Sequence, residues 1–183
     1  YHADGSLISE PITAQFGTAA GWLASVATPN NSWNGNLDAA TPARFSFVVR
    51  DSELASTVKA PGARGAIVYA VETSAGASLA VEGATVLGQV ANGGKTVTLI
   101  RVTEAGLKLL TLSGSGAAGI KVSIAGDLNR DGRIDGTDST AFAASGVDLN
   151  GDGTANDSDR QVLYANYGWR ANLAPVGVAS ATP

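Results

Sequence analysis

Two twelve-residue stretches constrain this chain more than anything else in it. They are Asp127-Leu-Asn-Arg-Asp-Gly-Arg-Ile-Asp-Gly-Thr-Asp138 and Asp148-Leu-Asn-Gly-Asp-Gly-Thr-Ala-Asn-Asp-Ser-Asp159. They begin 21 residues apart and agree at six of twelve positions. Each sets a short oxygen-bearing side chain at positions 1, 3 and 5, a glycine at 6 and a carboxylate at 12. Ordinary Asp/Asn/Gly turns do not require acidic groups at 1, 5 and 12 together, and do not require it twice.

The pattern is the one an EF-hand-type loop uses to wrap a hard cation. In a tightly curled loop alternate residues point inward, so Asp127, Asn129 and Asp131 converge, and Gly132 lets the chain reverse where a Cβ is unfavourable. Asp148, Asn150, Asp152 and Gly153 repeat the arrangement. Position 7 gives its main-chain carbonyl, which leaves the side chains of Arg133 and Thr154 free to differ. Position 12 is Asp138 or Asp159 where the standard loop has glutamate. Position 9, Asp135 or Asn156, acts through water or not at all. Ala155 stands at position 8 where the first copy has Ile134, which predicts a weaker second site.

Charge gives an independent argument. Residues 127–159 hold eight of the sixteen acidic residues, with Arg130 and Arg133 as the only bases among them. Elsewhere acids and bases nearly balance, so the net charge of −4 originates in the loops. Two divalent ions would cancel most of that self-repulsion, which predicts a C-terminal part that loosens without metal. Oxygen donors, no cysteine and a single histidine, His2, favour two Ca2+ ions over zinc or copper, and magnesium prefers to keep several waters.

The duplicated Asp-x-Asn-x-Asp-Gly-x5-Asp loops, each leading into a helix, resemble the dockerin modules of secreted bacterial proteins. The resemblance covers Gly126 to Gly168. It implies a calcium-folded pair of loop-helix units and a surface for a partner domain of the cohesin kind. Carried over residue by residue, it implies metal roles for Asp127, Asn129, Asp131, the Arg133 carbonyl and Asp138, then for Asp148, Asn150, Asp152, the Thr154 carbonyl and Asp159. The chain departs from the family in two places. Only nine residues separate Asp138 from Asp148, so the first helix, Ser139 to Ser145, holds about two turns before Gly146. The positions that carry recognition residues in the family are Gly136-Thr137 and Asp157-Ser158, without the usual near-symmetry. The resemblance therefore carries calcium binding further than cohesin binding.

Residues 1–125 read as β-structure. Phe45, Phe47 and Val49 alternate with Arg44, Ser46 and Arg50; Ile67, Tyr69 and Val71 share one side of another run; Ile120, Val122 and Ile124 alternate with Lys121 and Ser123. Further strands are expected at Thr13 to Gly17, Trp22 to Ala27, Thr85 to Val90, Lys95 to Val102 and Leu107 to Leu112, with Asn92-Gly93-Gly94 as a hairpin turn. Thr28 to Pro42 reads as a surface loop. Seven to nine short strands with Gly/Asn/Pro punctuation predict a mainly β fold: an antiparallel β-sandwich of immunoglobulin-like or jelly-roll type, followed by the small helical calcium-binding part.

The expected domains are thus 1–125, 126–170, and a linker over 171–183 leading to a following segment. Ile124 runs almost directly into Asp127, without the Pro/Thr/Ser tether common before such modules, so the two parts are expected to pack together. Val162, Leu163, Asn166 and Tyr167 fall at helical spacing, with Phe142 in the place equivalent to Leu163. One such stripe is expected to close the helix pair, leaving Tyr164, Trp169 or Leu173 to meet the sandwich.

Catalysis finds no constellation. His2 lies at the N-terminus and there is no cysteine nucleophile. Gly94-Lys95-Thr96 mimics the end of a phosphate loop but sits between strands. Asp51 and Glu53 read as solvated surface charges rather than a glycosidase pair. Trp22, Trp33 and Tyr69 offer a sugar-stacking platform for a polysaccharide, with Trp33 the best candidate for exposure and Trp22 better read as core. The expectation is a non-catalytic, secreted or cell-surface bacterial module with a structural or protein-interaction role. The low pI of about 4.8 argues against nucleic acid. No apolar run is long enough to span a bilayer as a helix.

Overall fold

The computed structural model describes residues 31–129 and 131–171. The strands expected at Thr13 to Gly17 and Trp22 to Ala27, together with His2, Leu173 and the stretch 172–183, lie outside the described residues.

The described chain is mainly antiparallel β, in two sheets, with three short helices. The strands are β1 (Asn31–Leu37), β2 (Ala43–Val49), β3 (Ile67–Ser74), β4 (Ser78–Glu82), β5 (Thr85–Asn92), β6 (Lys95–Val102), β7 (Gly106–Ser113) and β8 (Gly116–Ile124). The helices are α1 (Asp51–Ser56), α2 (Gly136–Ser145) and α3 (Asp157–Ala165). One sheet has five strands in the order β1-β8-β3-β6-β5; the other has three, β2-β7-β4.

The two sheets share one core because their period-two apolar positions face each other. Phe45, Phe47 and Val49 of β2 and Leu110 and Leu112 of β7 pack with Ile67, Tyr69 and Val71 of β3, Ile100 and Val102 of β6 and Ile120 of β8. Ring contacts cross between the sheets: Phe47 lies 5.0 Å from Tyr69 and Trp33 lies 5.4 Å from Phe45, both tilted. The expected hairpin turn is present. Asn92 pairs with Lys95, and Gly93 and Gly94 both take positive φ, 59° and 82°, as a two-residue connection requires.

Several expectations need correction. The stretch read as a loop contains β1, which runs antiparallel to β8 with Trp33 opposite Ile120 and Leu37 opposite Gly116. Its alternation is real, with half-buried Trp33 and buried Leu37 on one face and exposed Ser32, Asn34 and Asn36 on the other. The solvent face is made of turn-forming residues, which hid the period. Gly35 is required here, since a Cβ on it would come within 2.3 Å of the Trp33 indole.

The acid pair also behaves differently from the surface charges expected. Asp51 is exposed, whereas Glu53 is buried and its carboxylate accepts the Arg50 amide at 2.9 Å in a capping box that starts α1. Of the three rings read as a sugar platform, Trp22 lies outside the described residues. Tyr69 is fully buried between the sheets, and Trp33 lies half-buried against Phe45. Lys95, from the phosphate-loop mimic, lies in strand β6 and pairs with Glu72 at 2.8 Å.

The outer face of the five-stranded sheet is partly covered. Val68 and Leu99 form a second apolar cluster with Ala125, and Val162 of α3 packs on it. Leu163, Phe142, Ile134 and Trp169 join the main core. One continuous apolar body therefore runs from the sheets into residues 126–171.

Candidate metal centre

The two loops fold with the same internal hydrogen bonds, built from the side chains singled out in the sequence. In the first, Asp127 Oδ2 accepts the Gly132 amide at 3.2 Å, Asn129 Oδ1 accepts the Asp131 amide at 3.0 Å, and Asp131 Oδ1 accepts the Arg133 amide at 2.9 Å. In the second, Asp148 Oδ2 accepts the Gly153 amide at 2.7 Å, Asn150 Oδ1 the Asp152 amide at 2.8 Å, and Asp152 Oδ1 the Thr154 amide at 2.8 Å. Asn129 donates to Asp131 and Asn150 to Asp152, each at 3.0 Å. These successive Asx turns bring positions 1, 3 and 5 around one side of each loop. Gly132 and Gly153 carry φ of 80° and 88° at the reversal, a conformation that a Cβ would strain.

Position 12 closes each loop. Asp138 and Asp159 are both fully buried. Asp138 Oδ1 accepts the amides of Leu128 at 2.8 Å and Asn129 at 3.3 Å, and Oδ2 accepts that of Asp135 at 3.0 Å. Asp159 repeats this on Leu149 at 2.8 Å, Asn150 at 3.0 Å and Asn156 at 2.8 Å. A buried carboxylate is tolerable only when its oxygens are so satisfied. Here the amides it gathers come from both ends of its own loop.

The helices begin inside the loops, earlier than the sequence indicated for the first. α2 starts at Gly136 rather than Ser139 and spans ten residues, because Asp135 at position 9 is its N-cap and accepts the Thr137 amide at 2.8 Å. Asn156 does the same for α3 through the Ser158 amide at 2.7 Å. The capping bonds with Thr137 hold the Asp135 carboxyl below the usual aspartate range. Gly146, in the left-handed conformation, ends α2 as expected.

The donors at the positions named in each loop are all oxygens, in the order that suits a hard cation, so the chemistry of the residues fits calcium. Among the described residues, no three Asp, Glu, His or Cys side chains group closely enough to cage an ion by themselves. A complete shell would therefore draw on Asn129 or Asn150 and on the position-7 carbonyl.

The surroundings of the two position-7 residues differ. Arg133 bridges antiparallel to Arg170, with the Ala171 amide donating to Gly132 O at 2.8 Å and the Ile134 amide to Trp169 O at 3.0 Å. In this pairing the neighbours of Arg133 carry the interstrand bonds, and its own amide turns back into the loop. The Thr154 carbonyl instead accepts Asn156 Nδ2 at 3.2 Å.

Each loop is also seated on a different support. Ile134 is fully buried, and the first loop is clasped by the segment that carries buried Trp169. Ala155 is exposed, and the second loop rests on the sheet through its glycines. A Cβ on Gly151 would lie 2.6 Å from the Val97 side chain, and one on Gly153 would lie 2.7 Å from Asn92. Beside that contact lies a cleft of about 430 Å³ lined by Asp127 and Asp148 from the loops and by Glu72 and Lys121 from the sheet.

Asn166 was placed on an apolar helical stripe, but its role is different. It is fully buried just after α3 and bonds to β3 and to the end of β8. Of the residues named as contacts to the sheets, Trp169 is buried in the core while Tyr164 is exposed, with its ring 6.1 Å from that of Tyr167. No protein-family model matches the chain, and no curated protein matches it.

Proposed function

We propose that this chain is a non-catalytic calcium-binding module of a larger secreted or surface bacterial protein. In it a β-sandwich and a dockerin-like pair of loop-helix units are held together as one structural or protein-interaction unit. The observation that carries the reading is the duplicated network, in which two loops 21 residues apart place equivalent Asp and Asn oxygens on equivalent amides and bury equivalent aspartates. Asp127, Asn129, Asp131, Asp138 and the Arg133 carbonyl would hold one ion. Asp148, Asn150, Asp152, Asp159 and the Thr154 carbonyl would hold the other. Bound Ca2+ would supply positive charge where the chain concentrates its negative charge.

An ion that binds the folded loops and not the unfolded chain adds about 2.7 kcal/mol per site at a hundredfold excess over its dissociation constant. Thermal unfolding followed by circular dichroism, with calcium and then with a chelator, tests the reading. A melting temperature and helical signal both indifferent to the chelator would end it.

A second reading, calcium-dependent docking of a cohesin-like partner, draws support from Thr137 and Ser158, both exposed in the first turns of α2 and α3. Pull-down with Thr137 and Ser158 replaced by bulky residues separates the two. Capture by cohesins that needs calcium and is lost in the variants favours docking, and no capture leaves the first reading alone.

A further inference from the structure

The five-stranded sheet is two strands wider than the three-stranded sheet beneath it, and the overhang falls on an edge. Among the described residues β5 pairs with β6 on one side only. Val86 lies opposite Ile100, which is fully buried on the core side, yet Val86 is 51% exposed. Leu87, at the irregularity between Val86 and Gly88, is 48% exposed. Every residue of β5 other than Val90 is exposed.

Edge strands are ordinarily protected by charge, proline or brevity, because their unpaired amides and carbonyls template further strands. Among the described residues, β4 has five residues and ends in Glu82, and β2 carries Arg44. β1 has neither charge nor proline, but the residues it exposes, Ser32, Asn34 and Asn36, are polar, whereas β5 exposes Val86 and Leu87. β5 has eight residues, and from Ala84 to Gly94 the chain holds no ionisable side chain and no proline. Among the described residues the irregularity at Leu87 is its only guard.

We infer that β5 is an interaction edge on which a second copy of this chain adds its own β5, antiparallel, joining two five-stranded sheets into one. Charge selects both the partner and the direction. The neutral stretch is bounded by Glu82 on one side and Lys95 on the other. Antiparallel self-pairing sets the Glu82 end of each copy beside the Lys95 end of its partner, whereas parallel pairing sets like beside like. A two-fold pairing of this kind is self-complementary and closed. One strand pair covers less surface than a standard stable interface, so the association is a concentration-dependent equilibrium rather than an obligate dimer.

Sedimentation velocity on the full chain across a wide concentration range tests this. The expected result is a rise from the 18.3 kDa monomer to twice that mass. Leu87→Lys abolishes the rise, while Val48→Lys, at an exposed position on the β2 edge, leaves it intact. Should Leu87→Lys fail to fold, amide exchange in the unaltered protein decides, with the β5 amides slowing as concentration rises. A chain that stays monomeric throughout overturns the inference, as does a Leu87→Lys variant that folds and dimerises unchanged. β5 amides that are protected equally at all concentrations also overturn it, since the edge would then be covered from within the same chain.

Discussion

Asn166 and Val68, 98 residues apart in the chain, exchange a pair of hydrogen bonds. Val68 N donates to Asn166 Oδ1 at 2.6 Å, and Asn166 Nδ2 donates to Val68 O at 2.6 Å and to Ala125 O at 2.7 Å. A side-chain amide here acts as one residue of a strand, pairing Val68 N and Ala125 O and sharing Val68 O with the Ala125 amide, which donates to it at 3.1 Å. This joint binds the C-terminal part to the sheets in directional terms, while Trp169, Leu163 and Ile134 bind it by burial.

Replacing Asn166 tests that joint. Asn166→Ala leaves one buried donor, Val68 N–H, and one buried acceptor, Ala125 O, unpaired, while Val68 O keeps the Ala125 amide at 3.1 Å; it is expected to cost about 2 kcal/mol or more, each lost partner being worth about 1–3 kcal/mol. Asn166→Asp, though the same size, is expected to be at least as damaging, since a carboxylate cannot donate to Val68 O or Ala125 O. Urea unfolding of the three proteins measures it, and an aspartate variant as stable as the parent would contradict the assignment.

Tyr69 offers a test with the opposite sign. Its hydroxyl is buried without a hydrogen-bond partner, and burial, with the Glu53 carboxylate adding to it, pushes its ionisation well above the ordinary phenol range. A folded pKa above the unfolded one leaves the contribution to stability fully present below the unfolded value of about 10 and removes it progressively as pH rises further. Tyr69→Phe is therefore expected to match or exceed the parent in stability at neutral pH and to lose less stability above pH about 10. Denaturant midpoints at neutral and alkaline pH check both halves.

The unequal seating of the loops predicts unequal calcium affinities. The first loop is anchored by buried Ile134 and by the pairing of residues 132–134 with 169–171; the second has exposed Ala155 at the corresponding place. Less of the ordering cost is met in advance at the second loop, so it is expected to bind more weakly. Calorimetry on Asp127→Ala and Asp148→Ala variants separates the sites. Equal affinities, or a tighter second site, would contradict this account.

Trp33 and Gly35 make a packing prediction. Gly35→Ala sets a methyl group against the indole, which lies between β1 and Phe45, and is expected to cost about 1–3 kcal/mol as overpacking. Thermal unfolding and near-ultraviolet circular dichroism of the variant report the cost and the movement of the ring.

Strands were legible where one face is apolar and the other charged or hydroxylic, as in Phe45-Ser46-Phe47 or Ile120-Lys121-Val122. β1 was not, because its solvent face is built of Asn and Ser, residues that equally describe a loop, and only Trp33 and Leu37 mark the core side. The repeated loops were legible because the spacing of their Asp, Asn and Gly residues is local. The helix start at Gly136 was not, because the residue at position 9 also serves as the cap. Asn166 was invisible for a different reason: its partners are distant main-chain groups, which leave no trace in the pattern of side chains.

Calcium stoichiometry is the most direct test of the central claim. Equilibrium dialysis of metal-stripped protein against radioactive calcium is expected to reach two ions per chain, falling to one when Asp127 and Asp131 are both changed to alanine and to one again for Asp148 and Asp152. A chain that retains no calcium at saturating concentrations, or whose bound calcium is unchanged in both double variants, would contradict it.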